Sequence, residues 1–445
     1  MSDKATDKYY ENHHYHTRKP VYISEEDLRP DQLDRLTKSD VFCMIPWIHM
    51  HAFPDGRAYP CCLGDDKHPI GNFKQDSMET VWNQDAYKNM RKNMLEEKSC
   101  KECTRCYEQE ASGFVSMRNS TNKNFGQHIG IVDQTKPDGH FDDFKLRYYD
   151  IRFSNLCNFT CRTCGSWFSS SWYTEEQDLK GNFPFREDPK YPKIVFAGRT
   201  ETDMWEQLIP HIPYLEQIYF AGGEPLIMEE HYKILKELIK REMFDIKLIY
   251  NTNFSRLRLK DDNVLDYWKL FKNVGVGASL DGMGARGEYI RKGTKWDRIE
   301  RNREQMMERC PATDFYISST VSLYNANHIT DFHRDWVDKG FIKPQDWNIN
   351  ILQGPERDRI DVLPKYYKDQ VTAKVQEHID WLRPYDHLQR ATSGYESMLN
   401  FMNAIDNSHL LQEFFRVNDV HDAYRNEKFE TIFPEYKDLR NYVTT

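Results

Sequence analysis

The sequence has no apolar run that approaches the roughly 18 residues needed to cross a membrane. Residues 1–8 are polar and lack the apolar core of a signal peptide. Basic charge is not in excess, since the net charge is −9 at pH 7, and no basic module with interleaved aromatic residues is evident. We therefore expect a cytoplasmic protein with no membrane partner, and nucleic acid is disfavoured as a substrate.

Internal repeats and low-complexity linkers are also missing from the 445 residues. A hydrophobic content of 39% and an aromatic content of 14% fit a globular protein of two or three domains. The ten cysteines come without an export signal. In a reducing compartment they are expected to be metal ligands and free thiols, not a disulfide framework.

Cys157, Cys161 and Cys164 form the most informative motif, with three and then two residues between them. A disulfide arrangement is a poor explanation because three is odd and the gaps are short. Thiolates usually hold all four irons of a [4Fe–4S] cluster, so a three-cysteine loop would leave one iron open to a small molecule. A structural zinc is the alternative, but zinc normally takes four protein ligands and no fourth is adjacent.

The residues around this motif strengthen the interpretation. A β-type run at 146–153 ends directly before the cysteines, and a second run, Gln217 to Ala221, ends in Gly222-Gly223-Glu224-Pro225. Two glycines let a backbone pass close to a ligand, and Glu224 offers a carboxylate to a cation, although an ordinary turn is the alternative. The two motifs together resemble the radical S-adenosylmethionine (radical SAM) enzymes, over about residues 146–355.

This resemblance implies S-adenosylmethionine at the open iron and its cleavage to a 5′-deoxyadenosyl radical, which abstracts hydrogen from a substrate. Gly222, Gly223 and Glu224 would meet the cofactor, with Glu224 bonding the methionine amino group. Ser279, in the Ser-Leu-Asp-Gly that ends the fourth strand, would lie near the cofactor. Asp281 in the same motif is equally well explained as a turn residue.

Two further positions are candidates for cofactor contacts. Arg291 is a candidate partner for the methionine carboxylate, because the guanidinium fork matches a carboxylate, but an exposed arginine at a helix end is an equal alternative. Asn251, in Asn251-Thr252-Asn253, ends the third strand beside the site, where an Asx turn is the alternative. Many family members carry an aromatic residue where this chain has Thr163, so the packing of the adenine does not follow from the motif.

Alternating strand and helix patterns from 146 to 355 predict a parallel sheet. We expect an α/β fold, a partial (β/α)6 barrel of the radical SAM type with its site at the carboxyl ends of the strands. A polar tail is expected at 1–40, where His13, His14 and His16 are a less favoured metal site. A helical extension is expected at 356–445, after the barrel. The predicted strands are 148–153, 216–221, 246–251, 274–280, 314–322 and 346–351, and the predicted helices include 229–242, 262–271, 295–309 and 326–339.

A second cysteine-rich unit covers residues 41–118. An Asp55-Gly56 hairpin ends in Pro-Cys-Cys, Gly71-Asn72-Phe73 follows with a downstream tryptophan, and a Cys-x-x-Cys closes the unit. This combination resembles the SPASM or twitch auxiliary-cluster domains of peptide-modifying radical SAM enzymes, although those usually follow the barrel. The cysteines of this unit are Cys43, Cys61, Cys62, Cys100, Cys103 and Cys106.

Six thiols exceed the four needed for one cluster and fall short of eight, so we expect one auxiliary [4Fe–4S] cluster. The predicted ligands are Cys43, Cys61, Cys103 and Cys106. Cys62 follows Cys61 directly and would point to the other face of a strand, but it and Cys100 remain candidates. A structural zinc on the same cysteines is the alternative.

The leading hypothesis is a radical SAM enzyme with two iron–sulfur clusters that acts on a peptide or protein side chain. It would need an electron donor such as a flavodoxin or ferredoxin. A dehydrogenase or epimerase acting on a small metabolite or sugar is the alternative among enzymes. A non-catalytic iron–sulfur protein, for electron transfer or binding, is the alternative outside them.

Overall fold

The protein is described by a computed structural model, which covers residues 28–111, 115–181 and 192–443. The histidine cluster at His13, His14 and His16 and most of the predicted polar tail lie outside the described residues. Within the described ranges, no helix combines the length and the apolar composition that a membrane crossing requires.

Short strands and mostly short helices alternate along the chain. The strands are β1 His51–Ala52, β2 Arg57–Tyr59, β3 Gly71–Asn72, β4 Tyr148–Ile151, β5 Thr160–Cys161, β6 Gln217–Phe220, β7 Lys247–Thr252, β8 Arg258–Leu259, β9 Asp262–Asn263, β10 Asn273–Ala278, β11 Arg291–Lys292, β12 Asp314–Val321 and β13 Trp347–Ile351. The helices are α1 Pro30–Thr37, α2 Met78–Trp82, α3 Asp85–Leu95, α4 Thr104–Ala111, α5 Met117–Phe125, α6 Trp172–Asp178, α7 Asp203–Leu208, α8 Glu229–Lys240, α9 Val264–Trp268, α10 Gly284–Ile290, α11 Trp296–Arg309, α12 Ile329–Asp338, α13 Lys365–Leu382, α14 Arg390–Ala404, α15 Leu411–Arg425 and α16 Phe429–Ile432.

These elements form two compact units. The first contains the chain up to Leu156 together with Ile194–Ile249 and Leu270–Val274, and the second contains Cys157–Lys193, Tyr250–Lys269 and the chain from Gly275 onward. The first unit therefore groups the cysteine-rich segment with β4 and β6. The domain boundaries drawn from the sequence do not follow this division and remain a prediction.

The sheet of the first unit has the order β3-β2-β1-β4-β6. Its outer part is antiparallel, as expected for the Asp-Gly hairpin, with His51 opposite Tyr59 and Arg57 opposite Asn72. Its inner part is parallel, because β1 pairs with β4 and β4 pairs with β6. The hairpin of the cysteine-rich segment therefore extends a parallel sheet whose strand β4 leads into the cysteine loop.

The second unit is built on the parallel strands β10, β12 and β13. Two antiparallel ribbons accompany them: β8 pairs with β9, and β5 pairs with β11. The strands and helices that the sequence predicted between residues 148 and 351 begin and end close to their predicted bounds. Each of them combines a marked hydrophobic period with a polar turn at its end. The α/β class and the helical C-terminal region are thereby confirmed, and neither unit closes its sheet into a barrel within the described residues.

Two buried histidines join α12 to α13 inside the second unit. Arg334 Nε donates to His378 Nδ1 at 3.3 Å, and the rings of His378 and His333 meet at 3.0 Å between Nε2 and Nδ1. His333 Nε2 lies 3.0 Å from the Pro344 carbonyl oxygen, which only accepts. Each ring must therefore accept a hydrogen bond at Nδ1 and donate one at Nε2. A histidine ring can do both only when it is neutral. Burial lowers the pKa of His378 to about 3 and that of His333 well below its usual range.

We expect the stability of the second unit to fall as the pH drops from about 6.5, where an unfolded histidine begins to bind a proton, towards about 3. At pH 5 one such histidine costs about 2 kcal/mol. Urea unfolding of the wild type and of His378→Gln at pH 7 and pH 5 measures this, and their difference in unfolding free energy should shrink by about 2 kcal/mol at pH 5. An unchanged difference would show that His378 does not carry the effect.

Candidate metal centres

The Gly-Gly-Glu turn is fixed to the residue that precedes the first cysteine. Glu224 N–H donates to the carbonyl of Leu156 at 2.8 Å. A Cβ built on Gly223 would lie 2.1 Å from that carbonyl oxygen, so a glycine is needed for this approach of two backbones. The contact with Leu156 therefore explains why residue 223 is a glycine, whereas the sequence suggested contact with a ligand.

Glu224 is 1% exposed, and its Oε1 accepts the N–H of Leu226 at 3.0 Å. This bond caps the short turn that begins at Pro225. Gly222 has φ +132°, and a Cβ there would lie 3.3 Å from the Arg152 side chain. The three predicted cofactor contacts on this turn thus share one rigid segment.

Cys161 is held by the ribbon of β5 and β11, in which it lies directly opposite Arg291. The N–H of Arg162 donates to the carbonyl of Ile290 at 2.9 Å and extends this pairing. Gly293, directly after β11, has φ +112°, and a Cβ there would lie 2.6 Å from the Phe159 ring. A two-residue strand is too short to hold its position alone, so further contacts must fix the cysteine loop.

Serine side chains and a tryptophan supply part of that support. Ser171 Oγ donates to the carbonyl of Cys157 at 2.7 Å, and Ser169 Oγ donates to that of Phe159 at 2.5 Å. Trp172 Nε1 donates to the carbonyl of Cys161 at 3.1 Å. Side chains of residues 169–172 therefore bond carbonyl groups of the loop and fix the course of its backbone.

Arg162, between the second and third cysteines, is the centre of a buried charge network. Its Nη2 lies 2.5 Å from Asp422 Oδ1 and 2.8 Å from Glu427 Oε2, and Nη1 donates to Asn418 at 2.8 Å. Its guanidinium stacks on the Tyr289 ring, 3.6 Å from the centroid. Since only 1% of the Arg162 side chain is exposed, these partners offset the cost of burying its charge.

Helix α15 adds a second arginine to the same loop. Arg425 Nη2 donates to the carbonyl of Thr160 at 2.9 Å, and its Nε lies 3.0 Å from Glu175 Oε1 on α6. The C-terminal region, from which the sequence predicted no chemistry, therefore holds the cysteine loop through Arg425 and the acceptors of Arg162. Pairings across some 260 residues leave no local pattern, so sequence reasoning missed them.

Arg291 connects Cys161 to Asp281. Its Nε donates to Asp281 Oδ2 at 2.6 Å, and its Nη1 lies 4.0 Å from Cys161 Sγ. Burial raises the pKa of the Cys161 thiol, whereas the Arg291 charge opposes that rise. Burial and the neighbouring Cys161 raise the pKa of Cys164 to about 12. Metal binding would have to displace these protons.

The remaining predicted residues lie at the ends of β7 and β10. The N–H of Ser279 donates to the carbonyl of Thr252 at 2.7 Å, which joins the two strand ends. Asn253 Oδ1 accepts the N–H of Ser255 at 3.0 Å, as in the Asx turn considered as an alternative. Asn251 lies against Gly277, where a Cβ would come within 2.7 Å of its Oδ1.

In the first unit, four cysteines line one small cavity. They are the four predicted ligands, Cys43, Cys61, Cys103 and Cys106. Burial raises the pKa of Cys43 and of Cys61, and in each case the thiols of Cys103 and Cys106 raise it further, so the four groups are close enough to interact. The rest of the lining is largely apolar, with Met90, Met94 and Met117 among it.

Cys62 and Cys100 are not among the residues that line this cavity in the described part of the chain. Cys62 Sγ lies 3.9 Å from Met117 Sδ, and Asp150 on β4 adds to the effect of burial in raising its pKa. Cys100 Sγ lies 3.7 Å from the carbonyl of Met90. The lining of the cavity favours the predicted set of four, whereas a hydrogen bond between the thiols of Cys100 and Cys103, which raises the pKa of Cys103, keeps Cys100 a candidate. Which cysteines bind metal stays a prediction.

A single metal ion and a cluster place different demands on the spacing of thiols. Among residues 28–111, 115–181 and 192–443, no three histidine, cysteine or acidic side chains converge closely enough to hold one metal ion. A tetrahedral zinc with bonds of about 2.3 Å needs its sulfurs within about 3.8 Å of one another. In a [4Fe–4S] cluster each thiolate binds a different iron, so the thiols stand further apart. A cluster and a zinc ion therefore differ in the thiol spacing that they require.

Residues 43–107 match the family model of the SPASM domain, an iron–sulfur cluster-binding domain. This match confirms the predicted resemblance of this segment to an iron–sulfur cluster-binding domain of the SPASM type. No curated protein sequence matches this chain.

Among solved structures, the chain is similar to native anSMEcpe with bound AdoMet, at 17% identity and a TM-score of 0.34, over 51% of this chain and 59% of that one. It is also similar to native anSMEcpe with bound AdoMet and Cp18Cys peptide, at 18% identity and a TM-score of 0.34, over 51% and 56%. The chain thus spans less than two thirds of the length of these proteins.

Separate cysteine substitutions should identify the ligands of the SPASM domain. We expect Cys61→Ala to lose about four irons per chain, one cluster's worth, and Cys62→Ala, its matched control, to keep them. Iron and sulfide analysis after anaerobic reconstitution measures both, and Cys100→Ala should resemble the control. Loss of iron in Cys62→Ala with retention in Cys61→Ala would reverse the assignment.

Removing the Arg162 charge should destabilise the second unit. Arg162→Leu would leave the buried Asp422 without its arginine partner, while Glu427 would keep Lys292 at 2.6 Å; loss of a buried partner typically costs about 3–5 kcal/mol. Arg383→Gln is the matched control, since its pair with Asp380 is exposed and should change stability by less than about 0.5 kcal/mol. Urea unfolding of both variants tests this, and equal stabilities would refute the structural role of Arg162.

Proposed function

We propose that this chain, whose residues 43–107 form a SPASM iron–sulfur cluster-binding domain, is a radical SAM enzyme. It would bind a [4Fe–4S] cluster through Cys157, Cys161 and Cys164 and an auxiliary [4Fe–4S] cluster through Cys43, Cys61, Cys103 and Cys106. When bound, the first cluster and S-adenosylmethionine supply a 5′-deoxyadenosyl radical that abstracts hydrogen from the substrate. The single observation that carries the proposal is the cysteine triplet on a loop whose backbone is fixed by side-chain hydrogen bonds.

The chain's own residues would perform the binding and positioning. Three thiolates hold three corners of a cluster and leave one iron for the cofactor. Glu224 Oε1 accepts the N–H of Leu226, and its carboxylate is the group that we propose for the amino group of a methionine moiety. Ser279 and Asn251, at the ends of two strands, are the proposed neighbours of the rest of the cofactor.

The Gly223 contact supports this role for Glu224. Because Gly223 packs on the backbone of Leu156, the turn that carries the carboxylate is fixed to the residue directly before Cys157. A binding group held by a rigid backbone contact needs no rearrangement when its ligand arrives. Burial of Glu224 also keeps competing water away from that carboxylate.

The substrate class we propose is a peptide or protein side chain. The support is the SPASM match at residues 43–107, because domains of this type resemble the auxiliary domains of peptide-modifying radical SAM enzymes. A flavodoxin or ferredoxin is the proposed electron donor, and a cytoplasmic location the proposed setting.

Anaerobic reconstitution followed by dithionite and S-adenosylmethionine tests the proposed activity. We expect 5′-deoxyadenosine from the wild type and none from Cys161→Ala, which removes one of three cluster ligands. Cys62→Ala is the matched control and should still form it. A wild-type protein with a full iron content that releases no 5′-deoxyadenosine would contradict the proposal.

A further inference from the structure

The Arg291 guanidinium lies between a buried carboxylate and the thiol of a proposed cluster ligand. Arg291 and Cys161 are directly opposed in an antiparallel ribbon, so their side chains leave the ribbon on the same face. The distance of 4.0 Å between Nη1 and Sγ agrees with that register. Two independent features, strand pairing and side-chain contact, therefore place this charge beside the sulfur.

Asp281 fixes the orientation of the guanidinium. The Asp281 carboxylate is 2% exposed and accepts Arg291 Nε at 2.6 Å on one oxygen and Thr320 N–H at 2.8 Å on the other. Its carbonyl accepts Asn325 Nδ2 at 2.8 Å. A carboxylate anchored on β12 in this way holds the arginine in one position, with Nη1 towards Cys161.

The other arginine near Cys161 is engaged differently. Arg425 pairs with Glu175 through Nε and bonds the carbonyl of Thr160 through Nη2. Its contacts thus fix the backbone of the loop, whereas those of Arg291 reach the sulfur. Of the two, Arg291 is the one placed to act on the electron density of the ligand.

We propose that Arg291, held by Asp281, sets the reduction potential of the cluster bound by Cys157, Cys161 and Cys164. The inference rests on the proposed function, in that it assumes an iron–sulfur cluster on these thiols. Adding one electron makes the cluster and its thiolates more negative, and a nearby positive charge with an N–H donor to sulfur favours that state. Arg291 is thus a positioning residue for electron entry, and its presence makes reduction easier.

An EPR-monitored potentiometric titration of the reconstituted protein, without S-adenosylmethionine, measures this effect. We expect Arg291→Gln to lower the equilibrium for one-electron reduction about 10-fold, which corresponds to about 59 mV. Arg291→Lys keeps the charge and should restore at least half of that shift. Arg309→Gln is the matched control, since Arg309 pairs with Asp266 at 2.7 Å on the surface, and its potential should equal that of the wild type.

Iron content and circular dichroism establish that each variant is folded and carries its clusters. If Arg291→Gln does not take up the cluster, the potentials of Arg291→Lys and the wild type are compared instead. Equal potentials in the wild type and Arg291→Gln would overturn the inference. Weaker S-adenosylmethionine binding by Arg291→Gln at an unchanged potential would overturn it in favour of a contact with the methionine carboxylate. Absence of 5′-deoxyadenosine from the wild type would instead refute the proposed function, while the potentials still decide the role of Arg291.

Discussion

The arrangement of the cysteine loop depends on the pairing of Cys161 with Arg291 together with the side chains that fix this pairing. Each strand of that ribbon has only two residues, so the ribbon is stable only because its surroundings fix it. Serine and tryptophan side chains bond carbonyl groups of the loop, and arginine–carboxylate pairs add further support. The thiols are thereby presented by a loop whose carbonyl groups are bonded by side chains.

Buried ion pairs connect distant parts of the second unit to this loop. Arg162 and Arg425 bring α15 to it, and neither arginine could be buried without the carboxylates that face it. An apolar contact of the same size would add stability but would leave the loop free to slide, since dispersion has little directional preference. Directed hydrogen bonds specify one position of the backbone, as the proposed binding of a cluster through three thiols would require.

The sequence predicted the elements whose signals are local. The strands of residues 148–351 combine β-type residues with polar ends, and the hairpin at Asp55-Gly56 has its own turn chemistry. The cysteine spacing and Gly222-Gly223-Glu224 identified candidate sites, because metal and cofactor chemistry demands particular residue types at short intervals. The SPASM family model matches residues 43–107, within the segment that the sequence predicted to resemble it.

Other features could not be predicted from the sequence, because the residues that contact one another are far apart along the chain. The role of Gly223 depends on Leu156, and that of Arg162 depends on Asp422 and Glu427, more than 250 residues later. Arg291 illustrates the same limit, since its pairing with Asp281 and its approach to Cys161 follow from strand register. Local patterns indicate which residues carry chemistry, whereas the three-dimensional fold decides what each of them faces.

Mössbauer spectroscopy of protein reconstituted with ⁵⁷Fe tests the central claim most directly, namely that three thiols hold a cluster with one open iron. The account predicts that S-adenosylmethionine changes the spectrum of one iron in the cluster bound by Cys157, Cys161 and Cys164 and leaves the other three unchanged. A cluster whose irons are all indifferent to S-adenosylmethionine, or a protein that takes up zinc and no iron at these cysteines, would contradict it.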